Sequence, residues 1–104
     1  LTIIFNKKDG VCDSFTKGLP TIGFRMPNSK VALEVLRKFG PIATTSVNIS
    51  NEPPINNLEE IIKHFKDKID YIIEDKEEIS KISSTIVDVS KEKIVILRQG
   101  DIKL

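Results

Sequence analysis

Apolar and polar positions along this chain change rhythm several times, and each change marks an element. "LTIIF" (1–5) is β-branched and aromatic and predicts a buried strand. "NKKDG" (6–10) is a turn punctuated by Asp9-Gly10, and residues 11–20 have no period and read as loop. "TIGFRM" (21–26) alternates, which predicts a second strand ending at Pro27. Ala32, Val35, Leu36 and Phe39 then recur at helical spacing, with Glu34, Arg37 and Lys38 outside. Asn28 or Ser29 supplies the N-cap, Gly40 ends the helix in a left-handed conformation, and Pro41 prevents continuation. "IATTSV" (42–47) predicts a short strand, so helix, Gly-Pro and strand outline half of a βαβ crossover.

"NEPPINN" (51–57) is loop, and Asn57 caps a second helix with Glu60 in the capping-box position. Leu58, Ile61, Ile62, Phe65 and Ile69 form its predicted buried face. "DYIIED" (70–75) predicts a short strand, and "KEEISKIS" (76–83) is polar and irregular. "STIVDVS" (84–90) and "KIVILRQ" (93–99) alternate around Lys91-Glu92 and predict a tight hairpin, with Gly100 ending the second strand. The sum is an α/β chain of about six strands and two helices, with more sheet than its helices cover.

A length of 104 residues suits one domain or part of one. The chain opens at Leu1 directly in an apolar run, which we read as a portion of a larger domain. A charged fraction of 30% with net charge +1 gives no electrostatic argument for a nucleic-acid or membrane partner. No apolar run reaches transmembrane length and no secretory signal is present, so the expected compartment is the cytoplasm. Cys12 is the single cysteine, which excludes a disulfide framework and reads as an ordinary loop thiol.

Ligands bind at strand ends in α/β sheets, because loops converge there and backbone groups become free. Four such ends carry polar side chains. In "TIGFRMP", Thr21 and Arg25 lie four apart and share a strand face, and Arg25 offers a planar fork for carboxylate or phosphate. In "TTSVNIS", alternation puts Thr44, Ser46 and Asn48 on one face as a row of neutral donors; turn formation is the alternative use of Ser and Asn. Ser83 and Ser84 precede the strand of "SSTIVD", where either can cap the loop. Arg98 follows the apolar "IVIL", as a solvated strand-end charge or as a guanidinium delivered to a pocket. His64 lies among Lys63, Lys66 and Lys68 and reads as solvent-exposed. Asp75, Glu77 and Glu78 form a loop charge run, not a catalytic pair. No metal-ligand spacing, phosphate-binding P-loop or dinucleotide fingerprint occurs, and no catalytic residue is identified.

Taken in order, "TIGFRMP", "GPIATTSVNIS", "NEPP", "SSTIVDVS" and "IVILRQG" resemble the YrdC/Sua5 family of threonylcarbamoyl-AMP synthases. "TSVNIS" is close to the family's T-S-A-N-x-S-G, and "LRQG" stands beside its R-x-G. The resemblance implies a twisted open mixed sheet with flanking helices, of which residues 1–104 are the C-terminal portion of a single YrdC-like domain. It implies that L-threonine, bicarbonate and ATP with Mg2+ give threonylcarbamoyl-AMP and pyrophosphate, for N6-threonylcarbamoyl adenosine (t6A) in tRNA. The partners implied are tRNA and the t6A transfer proteins. By motif, Thr21, Ser46, Asn48 and Arg98 match nucleotide contacts, and Arg25, Thr44 and Ser84 match threonine contacts.

Three positions depart from the family pattern. Val47 replaces Ala, Asn51 replaces a Gly and should adopt the same left-handed backbone, and Pro54 replaces a Ser that touches ATP. The family's Lys-x-Arg motif for the triphosphate is not among these residues. Inactivity of the chain alone, and an uncovered sheet face, are therefore expected. The alternative from a different class is a non-catalytic YrdC-like module that binds nucleotide or RNA.

Overall fold

Four of the predicted strands find partners. The computed structural model describes residues 1–76 and 82–104, in two compact units, Leu1–Ile42 with Ile82–Leu104 and Ala43–Lys81. In the first unit β1 (Thr2–Asn6), β2 (Thr21–Arg25), β3 (Ile86–Asp88) and β4 (Val95–Arg98) form one open sheet in the order β2-β1-β3-β4. β1 runs antiparallel to β2 and parallel to β3, and β3 runs antiparallel to β4, so the sheet is mixed. The parallel ladder extends beyond β3, with Thr2 N–H donating to Thr85 O at 2.8 Å and Val89 N–H to Ile4 O at 3.0 Å.

The hairpin is wider than the tight turn expected at Lys91-Glu92. Asp88 Oδ1 accepts from both the Ser90 amide at 2.8 Å and the Ser90 hydroxyl at 2.6 Å. That side-chain turn ends the ladder early and leaves residues 89–94 as the connection. An unpredicted single-turn helix, α1 (Asp13–Thr16), occupies the stretch read as loop, and one turn is too short to produce a period. Lys7 Nζ pairs with Asp13, and Lys17 ends the turn at φ 51°.

α2 (Lys30–Phe39) starts at Ser29, whose hydroxyl accepts from Ala32 N–H at 3.2 Å. Gly40 stops it with positive φ as expected, but its ψ of −161° lies outside the αL well, in a region open essentially to glycine. Phe39 does not join the inward stripe and is 70% exposed.

The second unit is organised around α3 (Leu58–Phe65), where Asn57 Oδ1 accepts from Glu60 N–H at 3.1 Å. The helix ends at Phe65, so Ile69 falls beyond it and is exposed. Residues 42–47 and 70–75 are not strands. Both are short runs of strand-forming residues, but a strand also needs a backbone partner. In the first segment Val47 O accepts from Ile55 N–H at 2.8 Å, a loop contact and not a ladder. Among the described residues there are therefore four strands and three helices, against the six and two expected. Glu77, Glu78 and most of the 76–83 stretch read as irregular lie outside the described residues.

Val87, at 4% exposure, is the only apolar side chain buried among the described residues. Phe5 and Phe24 meet edge to face at 6.0 Å on one side of the sheet, yet both remain exposed. A hollow of about 440 Å³ opens there, lined by Leu1, Ile3, Phe5, Phe24, Met26 and Leu36 among others. The expected uncovered face is thus present. No helix among the described residues is long and apolar enough to cross a membrane.

Candidate functional site

The strand register collects polar residues at one end of the sheet. Arg25 on β2 pairs with Thr2 on β1, Thr2 pairs with Ile86 on β3, and Ile86 pairs with Arg98 on β4. Adjacent strands lie about 4.8 Å apart, so the two arginines bracket this row at roughly 14 Å between their Cα atoms. No Asp or Glu occupies the row.

Arg98 is held, not loose. Its Nε donates to Ser84 O at 2.9 Å and its Nη2 to Ser84 Oγ at 3.2 Å. Ser84 Oγ also lies 3.2 Å from Thr2 Oγ1. Two residues picked as separate candidates, Ser84 and Arg98, therefore form one cluster, and Thr2 completes it. In the sequence pattern Thr2 belongs to a β-branched strand. A lone hydroxyl in an otherwise apolar run was the signal that could have marked it.

The glycine of "LRQG" has a steric reason. A Cβ on Gly100 would strike Ser83 O and would lie 2.5 Å from Thr85 N and 2.7 Å from Ser84 C. Only a residue without a side chain lets the end of β4 approach the segment that carries Ser84. Gly100 N–H then donates to Thr85 Oγ1 at 2.9 Å, and Thr85 Oγ1 donates to Ile102 O at 2.6 Å. Thr85 is 1% exposed and fully satisfied, a buried pin beneath the Ser84–Arg98 pair.

Thr21 shares β2 with Arg25 but pairs with Asn6 at the opposite end of the sheet. Four residues of strand separate the two by about 13 Å. Alternation gives them a common face, as expected, but not a common end. A methyl at Gly23, between them, would meet only Thr2 Cγ2 at 3.7 Å and Ile4 Cγ1 at 3.9 Å, so this part of the sheet has a low floor.

In the second unit the "TTSVNIS" residues make a turn. Ser46 Oγ donates to Asn48 Oδ1 at 2.5 Å, and Asn48 Nδ2 donates to Ile49 O and to Glu52 O, both at 3.0 Å. Asn48 thereby clamps the turn closed by Glu52 N–H on Ile49 O at 2.9 Å. Thr44 is exposed two residues before this network. Asn51 has φ 68°, the left-handed backbone expected for it.

The perturbed groups stand outside this cluster. Hydrogen bonds from Ser90 hold the Asp88 carboxyl below its ordinary range. Lys7 does the same for Asp13 through a hydrogen bond and its charge, and the Ser14 hydroxyl and amide lower the Cys12 thiol. Among the described residues no three His, Cys, Asp or Glu side chains gather to hold a metal. The chemistry on offer is anion binding by hydroxyls and guanidinium groups.

The Sua5/YciO/YrdC family, described as telomere recombination, matches residues 1–100. The chain belongs to this family. It is 33% identical over 105 residues to the threonylcarbamoyl-AMP synthase of Pyrococcus abyssi, covering 100% of this chain and 31% of that protein. It is 37% identical over 105 residues to a putative threonylcarbamoyl-AMP synthase of Methanocaldococcus jannaschii, covering 100% of this chain and 48% of that one. A solved structure of a P. abyssi Sua5 variant superposes with a TM-score of 0.85 at 33% identity, over 95% of this chain and 31% of its own. The chain thus spans less than half the length of these family members.

Proposed function

We propose that this chain is the C-terminal portion of a YrdC-like domain, and that the domain works as an ATP-dependent threonylcarbamoyl-AMP synthase serving t6A formation in tRNA. In that reaction the threonine amine takes up bicarbonate as a carbamate with loss of water. A carbamate oxygen then attacks the α-phosphorus of ATP and pyrophosphate leaves. Such chemistry needs alignment and charge neutralisation more than a protein nucleophile.

The observation that supports the reading is the joining of Ser84 and Arg98, motif residues fourteen positions apart, in one hydrogen-bonded cluster at the end of the sheet. In this reading Arg25 forks the threonine carboxylate, Thr44 and Ser84 contact threonine, and Thr21, Ser46, Asn48 and Arg98 contact the nucleotide. Ser46 spends its only proton on Asn48, so serving a phosphate oxygen requires that bond to open. Mg2+ travels with the nucleotide. The hydroxyls and guanidinium groups proposed here suit phosphate oxygens and supply no carboxylate to the metal.

Calorimetry of the full-length protein with L-threonine and ATP tests the reading. Threonine binding should disappear in Arg25→Ala. Unchanged threonine binding in that variant would remove the assignment. The 104-residue chain alone should not release pyrophosphate from ATP in a threonine-dependent way.

A further inference from the structure

Counting protons at the Ser84 cluster gives Thr2 a role. A guanidinium only donates, so Ser84 Oγ is the acceptor in its 3.2 Å contact with Arg98 Nη2. A hydroxyl has one proton and two acceptor sites. After Arg98, Ser84 keeps its proton and one acceptor site, and Thr2 Oγ1 at 3.2 Å engages one of these. If Thr2 donates, the Ser84 proton is left over. If Ser84 donates, the Thr2 proton is left over. Either way two hydroxyls share one bond and retain one proton. Among the described residues neither hydroxyl has a further acceptor.

The pair is also fixed in space. Arg98 Nε holds the Ser84 carbonyl at 2.9 Å, and Thr2 N–H holds Thr85 O at 2.8 Å. Thr2 and Ser84 are half-buried, so neither rotates as freely as a surface hydroxyl. Arg25 is the register neighbour of Thr2 on its other side. A carboxylate gripped by Arg25 would therefore meet the spare proton on the adjoining strand.

We propose that Thr2 is a positioning residue: it pairs with Ser84 so that the two hydroxyls together present a single aimed O–H donor to the carboxylate of the amino-acid substrate. The inference rests on the threonine site proposed above and adds to it a residue on β1. Neither hydroxyl alone suffices, because without Thr2 the Ser84 proton is free to turn to water.

The test uses Thr2→Val, which keeps the branched shape and removes the hydroxyl, and Thr2→Ser, which keeps the hydroxyl. L-threonine and ATP are titrated separately into the full-length protein by calorimetry. Thr2→Val should weaken threonine about tenfold, the scale of one hydrogen bond to a charged group, and leave ATP within about twofold. Thr2→Ser should restore threonine affinity to within about twofold of the unmodified protein. Threonine affinity unchanged in Thr2→Val overturns the inference. So does equal weakening of both ligands, which marks a structural role, or a Thr2→Ser variant as weak as Thr2→Val. Unmodified protein that binds no threonine overturns the site reading and the inference together. Threonine binding that falls in Arg25→Ala and Ser84→Ala but persists in Thr2→Val overturns the inference alone.

Discussion

Substituting Gly100 by alanine should do more damage than any exposed residue near it suggests. The added methyl carbon would lie 2.5 Å from Thr85 N and 2.7 Å from Ser84 C, and would overlap Ser83 O. These are backbone atoms, so no side chain can swing aside. Normal carbon contacts begin near 3.5 Å, and the two segments must separate by about 1 Å. Overpacking of this kind costs about 1–3 kcal/mol. The separation also pulls Gly100 N–H from Thr85 Oγ1, now 2.9 Å away, above a hydroxyl that is only 1% exposed. An unsatisfied group at that depth adds about 1 kcal/mol or more, for a total near 3 kcal/mol. With a guanidinium slope of about 2–3 kcal/mol per molar, the unfolding midpoint should fall by roughly 1 M. Thr85→Val separates the two causes. It removes the bonds to Gly100 and Ile102 without the clash, and should lower the midpoint by about half as much. A Gly100→Ala midpoint within about 0.3 M of the unmodified protein would refute the close-approach argument.

Two further outcomes follow from single side chains. Removing a helix cap by Ser29→Ala or Asn57→Ala should each lower unfolding stability by about 1 kcal/mol, whereas Asn57→Asp should leave it nearly unchanged, all read from denaturant midpoints. The Asp88 carboxyl is held below its ordinary value of 3.8, chiefly by the Ser90 hydroxyl, so its contribution is present above that value and is lost as pH falls through the lower folded value. The stability gap between the unmodified protein and Asp88→Asn should therefore stay constant from neutral pH to about pH 5 and change only in more acid solution; a gap that changes between neutrality and pH 5 would contradict this.

Elements whose deciding physics is local are legible in the sequence. Asn57 was legible as a cap, and Ser29 as one of two candidates with Asn28, because a cap is set within three residues. β3 and β4 were legible because two runs rich in β-branched residues flank a short polar connection. The segments 42–47 and 70–75 are not strands because residue types that favour a strand do not tell whether a ladder partner exists. In the site, Ser84 and Arg98 could be named separately, but their bond depends on the β3–β4 register. Thr2 depended on two registers at once, with β2 and with β3. No single-segment argument reaches it.

The hydroxyl-rich "TTSVNIS" stretch now has a physical answer that differs from the one its density suggests. Ser46 and Asn48 close their own hydrogen bonds within the turn: one hydroxyl proton goes to the amide oxygen, and the amide nitrogen serves two carbonyls. Any oxygen they donate to must replace a bond already made, so the net gain per contact is a difference and is small. At the sheet end the count is reversed. Thr2 and Ser84 hold two protons for one shared bond, and the Arg98 guanidinium, with five N–H groups, commits Nε and Nη2 to Ser84. An arriving anion breaks nothing there. The same residue types thus do different work in the two units: in one they close a turn, and in the other they leave a proton uncommitted. Surplus donors, rather than the number of hydroxyls in a stretch, are what separate the two arrangements.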